Sequence, residues 1–168
     1  MSRRIRDWLE SVLFSVVIVT ILFAAFWPFV VSGRSMEPGL SDRDRIAISR
    51  AMVWLGWYDR GDAVVCKQER EGKDEYIVKR VIGVPGDLLA IYNGSVYING
   101  VLLSEDYLRQ DYTAGNLEIE LGSSEYFVMG DNRDVSADSR NVGPVKAGEM
   151  VGRVVVRWYP FNKITVYL

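Results

Sequence analysis

An uninterrupted apolar segment near the start of the chain constrains its fold more than any other feature. Residues 11–31 include no charged side chain. As a helix they would span about 30 Å, which is the hydrocarbon thickness of a bilayer. Positive charges precede the segment and a tryptophan lies near each end: Arg3, Arg4, Arg6, Trp8 and Trp27. Because basic residues stay in the cytoplasm, the pattern predicts a cytoplasmic terminus over residues 1–10, one transmembrane helix over residues 11–31 and an extracytoplasmic domain over residues 32–168.

A secretory signal that is removed from the mature protein is the main alternative for this segment. The basic start and the small-residue sequence Val31-Ser32-Gly33 fit such a signal. The apolar stretch, however, is longer than the core of a usual signal peptide. A helix of a globular core fits less well, because no face of this segment is polar.

The composition excludes several kinds of chemistry. The chain of 168 residues has no histidine and one cysteine, which rules out Ser-His-Asp and Cys-His catalysis, His-ligated zinc and an internal disulfide. We therefore expect no metal and no cofactor. Lysines are scattered and arginines alternate with acidic residues, so nucleic acid is not an expected partner. The single cysteine, Cys66, lies in an apolar run and is predicted to be a buried strand residue. Nothing in the sequence indicates an oligomeric state.

Short strands and tight turns dominate the chain after Asp42. Two Asn-Gly pairs, at residues 93–94 and 99–100, separate three short apolar runs, and this is the strongest local signal for β-hairpins. We therefore predict a mainly antiparallel β domain that is barrel-like in form. Its strands are predicted over residues 45–49, 62–67, 75–82, 89–92, 95–98, 101–103, 117–121, 126–129, 151–158 and 163–168.

An aromatic segment, residues 51–58, interrupts this pattern. It contains two tryptophans and a tyrosine but has weak strand periodicity. Two interpretations remain open, and they are compatible: a loop that covers the core, or a lip that enters the interface of the lipid bilayer.

A serine follows the apolar segment in a sequence that favours a turn. Ser35 has Gly33 before it and Pro38 and Gly39 after it. Backbone N–H groups in such a turn are not committed to a helix or a sheet, so they can bind an oxyanion. A serine attacks a carbonyl only when a neighbouring group removes its proton, and here that base is not histidine.

A lysine or a carboxylate must therefore act as the base, and a neutral lysine is the stronger one. Burial lowers the pKa of a lysine, and among the five lysines Lys79 has the most apolar neighbours. Alternation along its strand does not decide whether Lys79 or Arg80 lies deeper, but arginine does not deprotonate in proteins. A lone lysine in a strand is otherwise a solvated edge residue.

Four stretches of the chain resemble the signature boxes of bacterial type I signal peptidases. They are Ser35-Met36-Glu37-Pro38, Gly61-Asp62-Ala63-Val64-Val65, the run from Lys79 to Asp87, and the run from Gly130 to Arg140. The boxes stand in the order of that family, and the third and fourth lie far from the first in sequence. The resemblance covers most of the chain.

The resemblance implies a role for each matched position. Ser35 would be the nucleophile and Lys79 the general base of a serine endopeptidase. Ser136 would orient the Lys79 amine, while Asp138 and Arg140 would hold the loop that carries Ser136.

The resemblance also implies a substrate and a location. Substrates would be the signal peptides of exported preproteins, cut after small residues at the first and third positions before the bond. Met36 and Val78 would shape shallow pockets for these residues. The chain would lie in the bacterial cytoplasmic membrane with its catalytic domain on the outer face. It departs from the family at Gly33, where some members have a serine that helps to bind the oxyanion, so the Ser35 N–H would act with the Gly33 backbone or with water.

Two other functions remain open. A self-cleaving Ser/Lys regulator would need a DNA-binding module, whereas here an apolar segment takes that place. An anchored β domain that only binds an extracellular partner would not need Lys79.

Overall fold

A computed structural model describes residues 3–51, 56, 58–70 and 72–167. One long helix, α1, covers Arg3–Ala25. Twelve strands follow within the described residues: β1 Phe26–Val30, β2 Arg45–Ser49, β3 Ala63–Arg70, β4 Lys73–Gly83, β5 Leu88–Tyr92, β6 Ser95–Ile98, β7 Val101–Leu102, β8 Leu117–Glu120, β9 Glu125–Met129, β10 Val145–Lys146, β11 Met150–Tyr159 and β12 Thr165–Val166. A short helix, α2, covers Ser139–Val142. Of the aromatic segment, residues 52–55 and 57 lie outside the described residues, and Tyr58 is buried.

The first helix ends at Ala25 rather than at the predicted Val31. Pro28 accounts for this difference, because proline has no N–H for a helical hydrogen bond and disfavours helical backbone in the residue before it. Residues 26–30 form strand β1 instead, which pairs with β2 in the register Phe26 to Ser49 and Val30 to Arg45. In the part of the chain that the structure describes, no helix is both long enough and apolar enough to cross a bilayer.

The strands form two antiparallel sheets. The larger has the order β1-β2-β11-β3-β4-β9-β10, with β12 on β11, and the smaller has the order β7-β6-β5-β8. At the two predicted hairpin turns, Asn93 and Asn99 have φ values of 49° and 52°, and the glycines that follow both have φ values of 80°. Positive φ at both central residues is the mark of a type I′ turn. The prediction of a mainly antiparallel β domain is confirmed.

Strand β4 lies at the centre of the hydrophobic core. Three clusters of buried apolar side chains pack in the domain, and β4 contributes Val78 to one, Val81 to the second and Ile82 to the third. A strand that is fixed in three clusters has little freedom to shift. Cys66 lies on the neighbouring strand with none of its surface exposed, as the sequence predicts.

One edge of β4 is only partly covered by a neighbouring strand. Strand β3 pairs with β4 along its length, from Lys73 to Arg80. Strand β9, on the other side, pairs with β4 from Arg80 onward. Within the described residues, residues 76–79 of β4 therefore have no strand partner on the β9 side, and they form an open edge.

Candidate active site

Ser35 lies in a turn that follows β1 and is fixed by backbone hydrogen bonds. The Val31 N–H donates to the Asp44 carbonyl at 2.9 Å, and the Asn132 N–H donates to the Ser35 carbonyl at 2.9 Å. Ser35 is half-buried. Among the described residues, no acceptor receives the Ser35 N–H. The turn thus offers a hydroxyl and a free backbone donor at the same residue.

Lys79 lies in the buried part of β4, and only 3% of its surface is exposed. Its Nζ donates a hydrogen bond to Ser136 Oγ at 3.1 Å. Ser35 and Lys79 both line one groove of about 410 Å³, together with Ile77, Val135 and Ala137. Within the described residues, no hydrogen bond joins the side chains of Ser35 and Lys79.

Burial lowers the pKa of Lys79 below the ordinary lysine value of 10.5. The Asp138 carboxylate opposes this effect, and the Arg140 guanidinium adds to it. The desolvation of the ammonium is the largest of these influences. A buried lysine with a lowered pKa can exist as the neutral amine that a general base requires.

The loop over residues 130–140 holds Ser136 against Lys79. Asp138 caps α2 and accepts hydrogen bonds from the Gly130 N–H at 3.1 Å and from Arg140 at 2.9 and 3.0 Å. Burial alone would raise the pKa of Asp138, but the hydrogen bonds from Arg140 and Ser136 outweigh it and lower that pKa. Asp138 therefore stays ionised and binds Arg140 as a bidentate pair.

Gly130 lies against both Ser136 and the turn of Ser35. A Cβ atom at Gly130 would lie 2.4 Å from both Ser136 Oγ and the Ser35 carbonyl oxygen. Because real Cβ atoms do not approach other atoms so closely, only glycine fits here without displacing its neighbours. The sequence pattern includes Gly130 but does not reveal this contact.

Arg80 points away from Lys79 and is held by a separate set of contacts. Its guanidinium donates to Asp131 at 2.7 and 2.6 Å and to the Gly61 carbonyl at 2.7 Å. The ring of Tyr107 lies 4.2 Å from the guanidinium carbon. The structure thus resolves the question that alternation left open, because Lys79 is the more deeply buried of the two.

The structure places the remaining predicted site residues away from the groove or in other contacts. Met36 and Val78 are 1% and 5% exposed and belong to one buried cluster, and neither lines the groove. The Gly33 N–H donates to Asp42 Oδ1 at 2.8 Å. In this arrangement the Gly33 N–H is therefore occupied rather than free for an oxyanion.

Comparisons with known proteins identify the family of the chain. A family model described as signal peptidase, peptidase S26, matches residues 5–159. Signal peptidase I of Bacillus amyloliquefaciens is 39% identical over 94% of this chain and 90% of its own length. Signal peptidase I U of Bacillus subtilis (strain 168) is 36% identical over 93% of this chain and 88% of its own length. The crystal structure of a signal peptidase I from Enterococcus faecalis V583 gives a TM-score of 0.52 at 32% identity, covering 58% of this chain and 96% of that chain.

The antiparallel fold and these relatives define the class of the protein, which is a serine endopeptidase. Within that class, the chain belongs to the signal peptidase family, peptidase S26. Membership of this family supports the removal of signal peptides from preproteins as its reaction.

Proposed function

We propose that the chain is a membrane-anchored endopeptidase that removes signal peptides with a Ser35 nucleophile and a Lys79 general base. The observation that carries this proposal is a buried lysine, bonded to a hydroxyl, in the same groove as a half-buried serine. Cleavage follows small residues at the first and third positions before the bond.

The reaction proceeds through an acyl-enzyme. Neutral Lys79 takes the proton of the Ser35 hydroxyl, whose oxygen attacks the scissile carbonyl carbon. The tetrahedral intermediate collapses, the C–N bond breaks, and the leaving amine takes the proton from the Lys79 ammonium. The signal peptide is then an ester of Ser35, and Lys79 activates the water that hydrolyses it. The hydroxyl of Ser136 holds the Lys79 amine in place through the 3.1 Å hydrogen bond.

The free Ser35 N–H is the first donor to the oxyanion. The Gly33 N–H is a candidate for the second donor. It must break its hydrogen bond with Asp42 Oδ1 before it can donate to the oxyanion. A missing donor in such a site costs about two to three orders of magnitude in rate. A water molecule that bridges to the oxyanion is the other source of this second hydrogen bond.

The open edge of β4 is where we place the substrate. An extended peptide adds to a free strand edge through backbone hydrogen bonds, and alternate side chains then enter pockets. The free edge ends at Lys79, so a peptide bound along it places its scissile bond near the base. Met36 and Val78, in the cluster beneath, would limit the depth of the pockets and so favour small residues.

A membrane anchor at the amino terminus is supported by the surface of α1. Its large apolar side chains from Ile5 to Val19 are between 40% and 67% exposed, on more than one face of the helix. Large apolar side chains that are exposed together on a helix are suited to contact with lipid. With Arg3, Arg4 and Arg6 on the cytoplasmic side, the domain after β1 would lie on the outer face of the bacterial cytoplasmic membrane.

Incubation of the detergent-solubilised chain with a preprotein carrying an Ala-x-Ala site tests this proposal. We expect one cut after the second alanine, and we expect mass spectrometry of the quenched reaction to find the signal peptide esterified to Ser35. A preprotein with a bulky residue at the last position should resist cleavage. Binding without cleavage would instead favour the anchored β domain, and cleavage of the chain itself would favour the self-cleaving regulator.

The pH dependence of cleavage gives a second prediction. Lys79 is inactive when protonated, and burial lowers its pKa, so kcat/KM should rise with pH through a midpoint below 10.5. Four neighbouring groups also change the pKa of Lys79. Asp138, Cys66 and Asp131 raise this pKa, and Arg140 lowers it. A rate that is flat from about pH 6 to about pH 10 would contradict a lysine base.

A further inference from the structure

We propose that the segment over residues 104–113, which lies outside all four signature boxes, is a clamp that positions the catalytic loop. Glu105 and Thr113 bind Arg133 of the loop over residues 130–140, and Tyr107 packs on Arg80 of β4. These are positioning residues, because they act through two arginines rather than on the substrate. The inference rests on the proposed function, since the loop that the clamp holds carries Ser136.

Arg133 is the first of the two arginines that the clamp binds. Its side chain is 3% exposed, and its Nε donates to the Gly130 carbonyl at 3.0 Å. The remaining guanidinium nitrogens donate to both carboxylate oxygens of Glu105, one of them at 3.1 Å, and to the Thr113 hydroxyl. The side chain of Glu105 is 8% exposed. Arg133 thus joins the clamp to Gly130 through a buried bidentate ion pair.

Arg80 is the second arginine, and Tyr107 links it to the same carboxylate. The Tyr107 hydroxyl donates to Glu105 Oε1 at 2.6 Å, and its ring lies 4.2 Å from the Arg80 guanidinium. Arg80 in turn binds Asp131, the residue that follows Gly130. Burial and the Glu105 carboxylate raise the pKa of Tyr107, so its hydroxyl keeps the proton that it donates.

The clamp acts on the part of the loop that touches the nucleophile. Gly130 lies against both the Ser35 carbonyl and Ser136, and the Asn132 N–H bonds to the Ser35 carbonyl. Asp138 and Arg140 hold the same part of the loop from its other side, because Asp138 accepts from the Gly130 N–H at 3.1 Å and Arg140 donates to the Arg133 carbonyl at 2.7 Å. The clamp therefore adds a second set of contacts to the end on which the relative position of Ser35 and Ser136 depends. A displacement of about 1 Å at a catalytic group can cost about 10²-fold in rate.

Four variants of the full chain in detergent test this inference with the preprotein assay. Glu105→Gln weakens the ion pair, Tyr107→Leu removes the ring beneath Arg80, and Tyr107→Phe keeps the ring but removes the hydroxyl. Glu118→Gln, on the exposed face of β8, is the matched control and should behave as the native chain. Circular dichroism and thermal unfolding first establish that each variant is folded at the assay temperature.

A positioning role predicts changes that a purely structural role would not cause. Glu105→Gln should lower kcat about 10- to 100-fold with KM nearly unchanged, because the open edge of β4 that binds the peptide is intact. Looser packing admits water to Lys79, so the midpoint of the pH–rate profile should move upward. Tyr107→Leu should lower kcat more than Tyr107→Phe does.

Each outcome decides between the two proposals. A native chain that cuts, together with folded Glu105→Gln and Tyr107→Leu variants that match its kcat and pH midpoint, would overturn the clamp alone. If Glu105→Gln does not fold, the two Tyr107 variants decide, and native rates in both would overturn it. A native chain that does not cut any preprotein would overturn the proposed function, and the clamp would fall with it.

Discussion

Replacing Lys79 with methionine is expected to lower kcat/KM by about 10⁴-fold or more, which removes nearly all measurable cleavage. Methionine is apolar and of similar length, so it fills the buried site of the lysine without a charge. The stronger of the two kinds of base that the chain can offer is then missing, and the chain has no histidine to replace it. The variant should be at least as stable as the native chain, since burial disfavours the lysine ammonium.

Two further lysine variants make this result specific. Lys79→Arg retains a positive charge but does not deprotonate at any pH of the assay, so it should be as inactive as Lys79→Met. Lys67→Met removes an exposed lysine of the neighbouring strand, which pairs with Asp74 at the surface, and should cleave at the native rate. Substantial cleavage by a folded Lys79→Arg variant would show that Lys79 is not the base.

Much of the β domain follows from local sequence. The type I′ turns need only an Asn-Gly pair, because asparagine and glycine tolerate positive φ and no distant residue is involved. The bounds of β2 agree with the predicted strand because its residues alternate between buried and more exposed positions. Lys79 could be identified for a similar reason, since its apolar neighbours within one strand already indicate that it is buried.

The resemblance to a known family predicts the contacts of the loop but not their geometry. Ser136 does bond to Lys79, and Asp138 does pair with Arg140. No local pattern, however, reveals that the Gly33 N–H is bound to Asp42. This contact joins two parts of a folded turn, and sequence spacing does not describe such an arrangement.

The least predictable contacts of the loop over residues 130–140 are those with the segment over residues 104–113. Glu105 and Tyr107 stand in an irregular stretch with no periodicity, and neither belongs to a signature box. Arg133 reaches Glu105 across a sequence separation of 28 residues, and Tyr107 donates a hydrogen bond to the same carboxylate. A buried arginine needs a carboxylate partner. This requirement is the one signal that could have suggested a search for the partner of Arg133 and so for Glu105.

Replacing Gly130 with alanine is expected to lower kcat at least about 10²-fold, because the new methyl group occupies space that Ser35 and Ser136 already fill. Its Cβ would lie 2.4 Å from the Ser35 carbonyl oxygen and from Ser136 Oγ. One or both must move, and either movement changes the geometry between nucleophile and base. Such overpacking also costs about 1 to 3 kcal/mol of stability, which lowers the Tm.

Gly148→Ala is the matched control, because nothing lies within 4 Å of a Cβ at Gly148 and its backbone accepts any residue. It should keep the native Tm and the native rate. The decisive comparison is between the kcat values of the two variants, measured at a temperature well below both Tm values, where each variant is fully folded. If folded Gly130→Ala still cuts the preprotein at the native rate, the close packing of the loop against Ser35 does not govern the chemistry. If it loses activity while it still binds the preprotein, the loss comes from the position of the reacting groups, because the edge of β4 on which we place the peptide does not contain Gly130.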